Sequence, residues 1–232
     1  MGRLAAGVAH EIGNPIAAIM GMHDLIDDSE TNDETRADFL RRMRKETERI
    51  HVVVRDLLDY ARPEDGPPSM RIQVASASVA EIVDDALNLL KPQKEFKSID
   101  TQIELEPDLL VRVSPQRLTQ VLLNLLLNAG AAIATKPSSA SGSFSPSPGR
   151  LVVRAKKLGE TVRIEIEDDG PGVPLELATS IFDPFVTTKD VGAGTGLGLA
   201  VCRGIVEGAK GRIYVDPTFT AGARFVVELP AA

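Results

Sequence analysis

The sequence predicts a helical hairpin followed by an α/β domain in which a helix layer lies over a mixed or largely antiparallel sheet. Three observations carry this. Two apolar stripes at helical spacing, separated by a short polar turn, fill the chain up to Ala61. The stretch Arg62 to Arg71, with Pro63, Gly66, Pro67 and Pro68, then breaks the helical pattern. Beyond it, short alternating segments are interspersed with longer amphipathic ones as far as the C-terminus.

The first stripe is Val8, Ile12, Ile16, Ile19 and Ile26 in a helix from Gly2 to about Asp27, and Ser29 to Asp33 supplies the turn. From Glu34 to Ala61, Leu40, Met43, Thr47, Ile50, Val54, Leu57 and Ala61 alternate three- and four-residue steps, the spacing of a helix packed against other helices. Two helices alone bury such stripes poorly, so a homodimer that forms a four-helix bundle is expected. The chain should divide into a hairpin over residues 1–62, a linker over 63–70 and a second domain over 71–232. In that domain the pattern predicts a short strand near Ile72, a helix from about Val79 to Leu90 and strands near Ile99 to Leu105 and Leu110 to Val113. A helix from Pro115 to Ala134 and strands from Leu151 to Leu158 and Thr161 to Glu167 come next. After a glycine-rich region follow a helix near Leu197 to Glu207 and strands near Arg212 to Val215 and Ala223 to Leu229. Residues 136–149 are so rich in Ser, Pro and Gly that they read as a mobile surface insertion without chemistry.

Composition narrows the classes. With 43% hydrophobic and 25% charged residues in 232, the chain has the balance of a soluble globular protein. A net charge of −7 provides no global positive field, so nucleic acid is not expected as a partner and anionic substrates must be held locally. The lone Cys202 excludes an internal disulfide, no zinc spacing is present, and a reducing, cytoplasmic setting is expected. The apolar run Val121 to Ala134 is interrupted by Asn124 and Asn128 and is short for a bilayer, so no membrane segment is expected in this chain. Met1 lies nine residues before the first chemical motif, which leads to the expectation of an upstream sensing region.

That motif is His10-Glu11-Ile12-Gly13-Asn14-Pro15 on the first helix. His10 is two positions from Val8 and from Ile12, roughly 200° around a helix from each, and should face away from the stripe. Pro15 removes a donor and should kink the helix nearby, while Asn14, four residues on, shares the face of His10. A neutral imidazole is a competent nucleophile, and the adjacent Glu11 can take its proton. An exposed histidine in a hairpin is ordinary by itself, so a second site must carry the reading.

The second site is spread over several segments. Asn124 and Asn128 lie one helical turn apart in QVLLNLLLNAGAA, and amide oxygens suit a hard cation such as Mg2+. Asp168-Asp169-Gly170-Pro171-Gly172 places a carboxylate at a strand end beside glycines that allow close approach, suited to a base amine. Ile181 to Lys189, IFDPFVTTK, offers the aromatic anchors Phe182 and Phe185, then the hydroxyls Thr187 and Thr188 and the cation Lys189, resembling one side of a lid. Gly192, Gly194, Thr195, Gly196, Leu197 and Gly198 lie where a flexible loop runs into a helix, an arrangement able to hold phosphates.

In this order the motifs closely resemble the sensor histidine kinases of two-component signalling, over nearly the whole chain. HEIGNP resembles the phosphoacceptor box, QVLLNLLLNA the asparagine box, DDGPG the first glycine box, IFDPF the phenylalanine box and GTGLGLAV the second glycine box. The HExxN form of His10 to Asn14 resembles the subfamily that includes nitrogen-regulation kinases. The resemblance implies an α/β sandwich ATP-binding domain of the type shared with topoisomerases and chaperones, with ATP and Mg2+ as cofactors. It implies that Asp168 binds the adenine amino group, Asn128 ligates Mg2+, Asn124 lines the same site, and Gly192 to Gly198 wrap the phosphates. His10 would take the phosphoryl group from ATP and pass it to an aspartate of a response-regulator receiver domain. Asn14 would position a water that removes the phosphoryl group from the regulator's aspartate. Two departures stand out: Ala131 replaces a polar or charged residue, with Lys189 or Arg203 as candidates to compensate, and Thr220 to Ala223 replaces the usual Gly-x-Gly-Thr. A catalytically inactive docking module and an ATP-driven conformational machine are the competing classes.

Overall fold

A computed structural model describes residues 2–26, 32–61, 76–135, 148–187 and 195–232, apart from the side chains of residues 2–6, 10, 56 and 59–61. The predicted strand near Ile72, the linker 63–70 and nearly all of the insertion 136–149 lie outside the described residues, as does most of the turn before Asp33. The chain forms two compact units: Met1–Arg62 with Asp183–Val201, and Pro63–Phe182 with Cys202–Ala232.

In the first unit, helices α1 (Gly2–Ile26) and α2 (Asp33–Ala61) pack against each other as a hairpin. Asn32 starts α2, its side-chain oxygen accepting the Thr35 N–H at 2.8 Å, and Asp33 and Glu34 put negative charge at the positive end of the helix. Arg36 donates to the Ile26 carbonyl at 3.3 Å and satisfies an orphan group at the end of α1. The helix runs unbroken through Pro15, which is buried. Val53 is fully buried, but Ile16, Met20 and Leu25 on α1 and Leu40, Val54 and Leu58 on α2 are exposed. Three of these, Ile16, Leu40 and Val54, belong to the predicted stripes. Each stripe is wider than the single interface a hairpin offers.

The second unit contains β1 (Ala77–Ser78), α3 (Val79–Leu90), β2 (Ile99–Leu105), β3 (Leu110–Val111), α4 (Pro115–Ala134), β4 (Gly149–Leu158) and β5 (Thr161–Asp168). Helix α5 (Gly198–Gly208) begins in the first unit and ends in the second, and β6 (Arg212–Val215) and β7 (Ala223–Pro230) complete the chain. Five strands form a mixed sheet in the order β2-β4-β5-β7-β6, parallel only between β2 and β4, while β1 and β3 pair apart from it. β3 is shorter than the predicted Leu110 to Val113 because Val113 N–H turns back to the Val111 carbonyl and Ser114 already caps α4. Ser78 and Ser114 accept N–H groups at the starts of α3 and α4, and Pro115 fills a first-turn position of α4.

The two faces of the sheet follow from strand alternation. Val162, Ile164 and Ile166 of β5 sit opposite Leu229, Val227 and Phe225 of β7, and all are buried. α4 packs across β4 and β5 and buries Leu118, Val121, Leu122, Leu125, Leu126, Ala129 and Ile133. By length and composition α4 is apolar enough to cross a membrane, alone among the described residues, yet those side chains are the core of a folded domain. The opposite face carries charge. Glu167 pairs with Arg154 and with Arg224 (2.7 Å), Arg154 reaches Glu104 (2.7 Å), and Arg163 reaches Glu228 (2.8 Å).

Candidate nucleotide and phosphoacceptor sites

Alternation also fixes the candidate base-binding residue. Asp168 is the last residue of β5 and falls in the inward-facing phase with Ile164 and Ile166, so its carboxylate enters the core and is 3% exposed. It accepts the Gly170 N–H at 2.9 Å and is also hydrogen-bonded by the backbone of Ala223, its register partner on β7. Burial pushes its pKa up to about 6; the backbone donors oppose the rise and the neighbouring Asp169 adds to it. Asp169 is turned the other way, where it accepts the Arg150 N–H at 3.0 Å and ties the loop to β4.

Helix α4 brings the asparagines to the same place. Asn124, Asn128 and Ala132 follow at four-residue steps and share one face, on which Asn124 is half-buried. A Cβ on Gly170 would stand 2.9 Å from the Ala132 Cβ and 3.0 Å from its carbonyl carbon, so this loop can touch the helix only because residue 170 has no side chain. The asparagine face of α4 thus ends against the loop that follows Asp168. Asn124 also hydrogen-bonds Cys202, whose Sγ donates to the Val121 carbonyl at 3.8 Å and whose thiol is pushed up to about 12 by burial. Among the described residues no cluster of three His, Cys, Asp or Glu could hold a metal ion. A cation here would be bound through amide oxygen together with oxygen atoms of its substrate.

Gly222, inside the segment Thr220 to Ala223 that departs from the family pattern, lies against the candidate base-binding residue. It has φ +148° and would press a Cβ onto the Asp168 carbonyl oxygen, while Gly172 (φ +80°) would place one 2.9 Å from the Gly222 carbonyl oxygen. The departure at Thr220 to Ala223 therefore keeps the glycine that this corner needs. Gly222→Ala should cost about 1–3 kcal/mol of stability through forced backbone strain. It should also weaken binding of an ATP analogue by displacing Asp168. Denaturant melts and a binding titration check this, and an unchanged melt would contradict the close approach.

In the first unit, His10, Glu11 and Asn14 all lie on α1. The His10 side chain lies outside the described residues, and Asn14 is exposed. Glu11 is held by Arg49 of α2 at 3.0 Å, with Arg49 only 17% exposed and also 3.8 Å from Glu46. Arg49 fixes the carboxylate next in sequence to His10, and no sequence motif reveals it because the pair forms only when the helices meet.

The phenylalanine box divides its two rings. Phe182, at the end of a 3-10 turn (Ser180–Phe182), packs edge-on against Phe225 of β7 at 6.4 Å in the second unit. Phe185 belongs to the first unit. Thr187 is exposed, Thr195 accepts the Leu197 N–H through its hydroxyl at 3.3 Å, Gly196 has φ +64°, Leu197 is buried, and Gly198 opens α5. These residues belong to the first unit as well. Thr188, Lys189, Gly192 and Gly194 lie outside the described residues. Arg203 is half-buried on α5 and Ala131 half-buried on α4.

Comparison with known proteins gives two family matches: residues 1–66 match the His Kinase A (phospho-acceptor) domain, and residues 113–232 the histidine kinase-, DNA gyrase B- and HSP90-like ATPase. Sensor histidine kinase ZraS of Salmonella typhi is 34% identical over 99% of this chain, and signal transduction histidine-protein kinase AtoS of Escherichia coli is 33% identical over the same share. The chain spans 46% of the length of the former and 35% of the latter. Among solved structures, histidine kinase ThkA in complex with response regulator protein TrrA aligns with TM-score 0.69 and 27% identity over 100% of this chain and 62% of that one. The nucleotide-free catalytic domain of ThkA aligns with TM-score 0.56 and 30% identity, over 67% of this chain and 94% of that one.

Proposed function

The chain belongs to the histidine kinase family, and from that premise we propose that it is an autophosphorylating protein kinase that uses Mg-ATP to phosphorylate His10 and passes the group to an aspartate of a response regulator. One observation carries this most: a buried carboxylate, Asp168, sits beside the asparagine face of α4 in a chain that also bears a His-Glu pair on a helix. Asp168 would accept the adenine amino group. Asn128 would supply a hard oxygen for Mg2+, with Asn124 on the same face, and the bound ion would neutralise charge on the phosphates. Thr187, Thr188, Lys189 and residues 192–198 would enclose the phosphates. The imidazole of His10 would attack the terminal phosphoryl group of ATP, the bond to the β-phosphate oxygen breaking and ADP leaving, while Glu11, steadied by Arg49, accepts the released proton.

The same reading divides the chain into a hairpin over 1–62, a linker over 63–70 and an ATP-binding domain over 71–232. Two copies would join through the exposed Ile16, Met20, Leu40 and Leu58 into a four-helix bundle. Asn14, exposed and one turn from His10, would orient a water that removes the phosphoryl group from the regulator. The HExxN form supports a place beside the nitrogen-regulation kinases, and the spans of ZraS and AtoS beyond the matched region support a cytoplasmic core within a longer sensor.

Incubation with labelled ATP and Mg2+ should leave acid-labile, alkali-stable label on the chain, and Asn128→Ala should lose the label and Mg-dependent nucleotide binding together. Free phosphate without label would identify an ATP-driven machine, and neither product an inactive docking module.

A further inference from the structure

Helix α1 carries a glycine whose absence of side chain is used. Glycine inside a helix is less favourable than alanine, so each one calls for a reason. Gly13 and Gly21 meet nothing within 4 Å, but a Cβ on Gly7 would collide with the ring of Phe185, 2.7 Å from Cε2 and 2.8 Å from Cγ. The ring therefore lies directly on the backbone of α1 at residue 7. Gly7 is three residues before His10, and residues three apart on a helix are neighbours on one face.

Phe185 cannot easily back away. It has φ +65°, a left-handed conformation that a bulky residue keeps only when its surroundings hold it there. Its N–H donates to the Gly196 carbonyl at 3.0 Å. A Cβ on Gly196, itself at φ +64°, would lie 2.6 Å from the Phe185 carbonyl carbon and 2.7 Å from its Cα. Gly7, Phe185 and Gly196 thus form a stack without slack, from the phosphoacceptor helix to the loop that opens α5. The same chain segment holds Thr187, Thr195 and Gly198.

We propose that Gly7 is a positioning residue for autophosphorylation: its missing side chain lets Phe185 seat on α1 one turn before His10, and this fixes Phe185 and its neighbour Gly196 beside the acceptor helix. The inference rests on the kinase reading and adds to it a residue with no chemistry of its own. Any side chain at position 7 would lift the ring and, through the Phe185–Gly196 contact, residues 195–198 with it. Binding of the base through Asp168 involves another element and would be untouched.

The test compares the wild-type chain with Gly7→Ala, Phe185→Ala and the double variant. Gly7→Ala should slow autophosphorylation by about tenfold or more, leave the affinity for adenosine, which carries no phosphates for residues 192–198 to hold, within about twofold, and melt at the same or a higher temperature, since alanine is the better helix former. Phe185→Ala should slow the reaction similarly, and the double variant should be no slower than Phe185→Ala alone, because both changes remove one interaction. Multiplying losses, an unaffected Gly7→Ala rate, or a parallel loss of adenosine affinity would each overturn the proposal. A Gly7→Cys, Phe185→Cys chain reads the contact without activity: mild oxidation should close a reducible cross-link within one chain, with Cys202 too buried to compete. Failure to cross-link overturns the seating. A wild-type chain that takes no label while the cross-link forms overturns the kinase reading, and the positioning role with it.

Discussion

His10→Ala is expected to abolish autophosphorylation while the affinity for an ATP analogue stays within about twofold of the wild-type value. The two halves of this result have separate causes. An alanine methyl offers no lone pair to a phosphoryl group, and no neighbouring group on α1 can replace a neutral imidazole as nucleophile near neutral pH. Glu11 is engaged by Arg49, and the amide nitrogen of Asn14 is not nucleophilic. On the proposed reading, nucleotide binding depends instead on Asp168, Asn124 and Asn128, which are carried by β5 and α4 of the second unit. His10 belongs to the first unit. Label incorporation and a binding titration on one preparation check both halves. Residual acid-labile label would place the acceptor elsewhere, and an equal loss of binding would refute the division of labour between helix α1 and the nucleotide site.

Much of the fold is legible in the sequence because alternation and helical periodicity are local. The helix from Val79 to Leu90, the strand from Ile99 to Leu105, the helix from Pro115 to Ala134 and the strand from Arg212 to Val215 appear with the predicted bounds. Local pattern also singles out Asp168 as a candidate. The run Val162, Ile164, Ile166, Asp168 continues the inward phase with a carboxylate, and a charge at a core position calls for a functional explanation. The sequence does not reveal which strands become neighbours, since β5 pairs with β7 across more than fifty intervening residues. That pairing is what brings Gly222 against Asp168. Arg49 and Glu11 are similarly separated, and neither lies in a pattern that singles out the other. The division of Phe182 and Phe185 between two units is the clearest case: two aromatics in one short box look equivalent until the positive φ at Phe185 turns the chain.

The second large effect is expected at Asp168 and carries a pH signature. In the folded chain its carboxylate accepts hydrogen bonds from the backbone of Gly170 and Ala223, and an adenine amino group would add a third donor. Asparagine offers one acceptor oxygen and turns an N–H2 group toward donors. Asp168→Asn should therefore weaken ATP-analogue binding by about 1.5–3 kcal/mol, or roughly 10- to 150-fold. Burial raises the wild-type pKa from 3.8 to about 6, so between these values the folded chain holds a proton that the unfolded chain has released. The contribution of this group to stability is thus fully present below pH 3.8 and is lost as pH rises through about 6, the reverse of a carboxylate in an ion pair. Nucleotide binding has the opposite sign. The amino group favours the ionised carboxylate, so affinity should fall as pH drops below about 6, by at most about tenfold per unit for one proton. The triphosphate titrates in the same range, and the Asp168→Asn variant removes that background because it shares the ligand but lacks the carboxyl. The difference between the two proteins from pH 5 to pH 8 should show a slope only below about 6. Parallel pH profiles would mean that Asp168 does not titrate against the nucleotide and would remove it from the base-binding site.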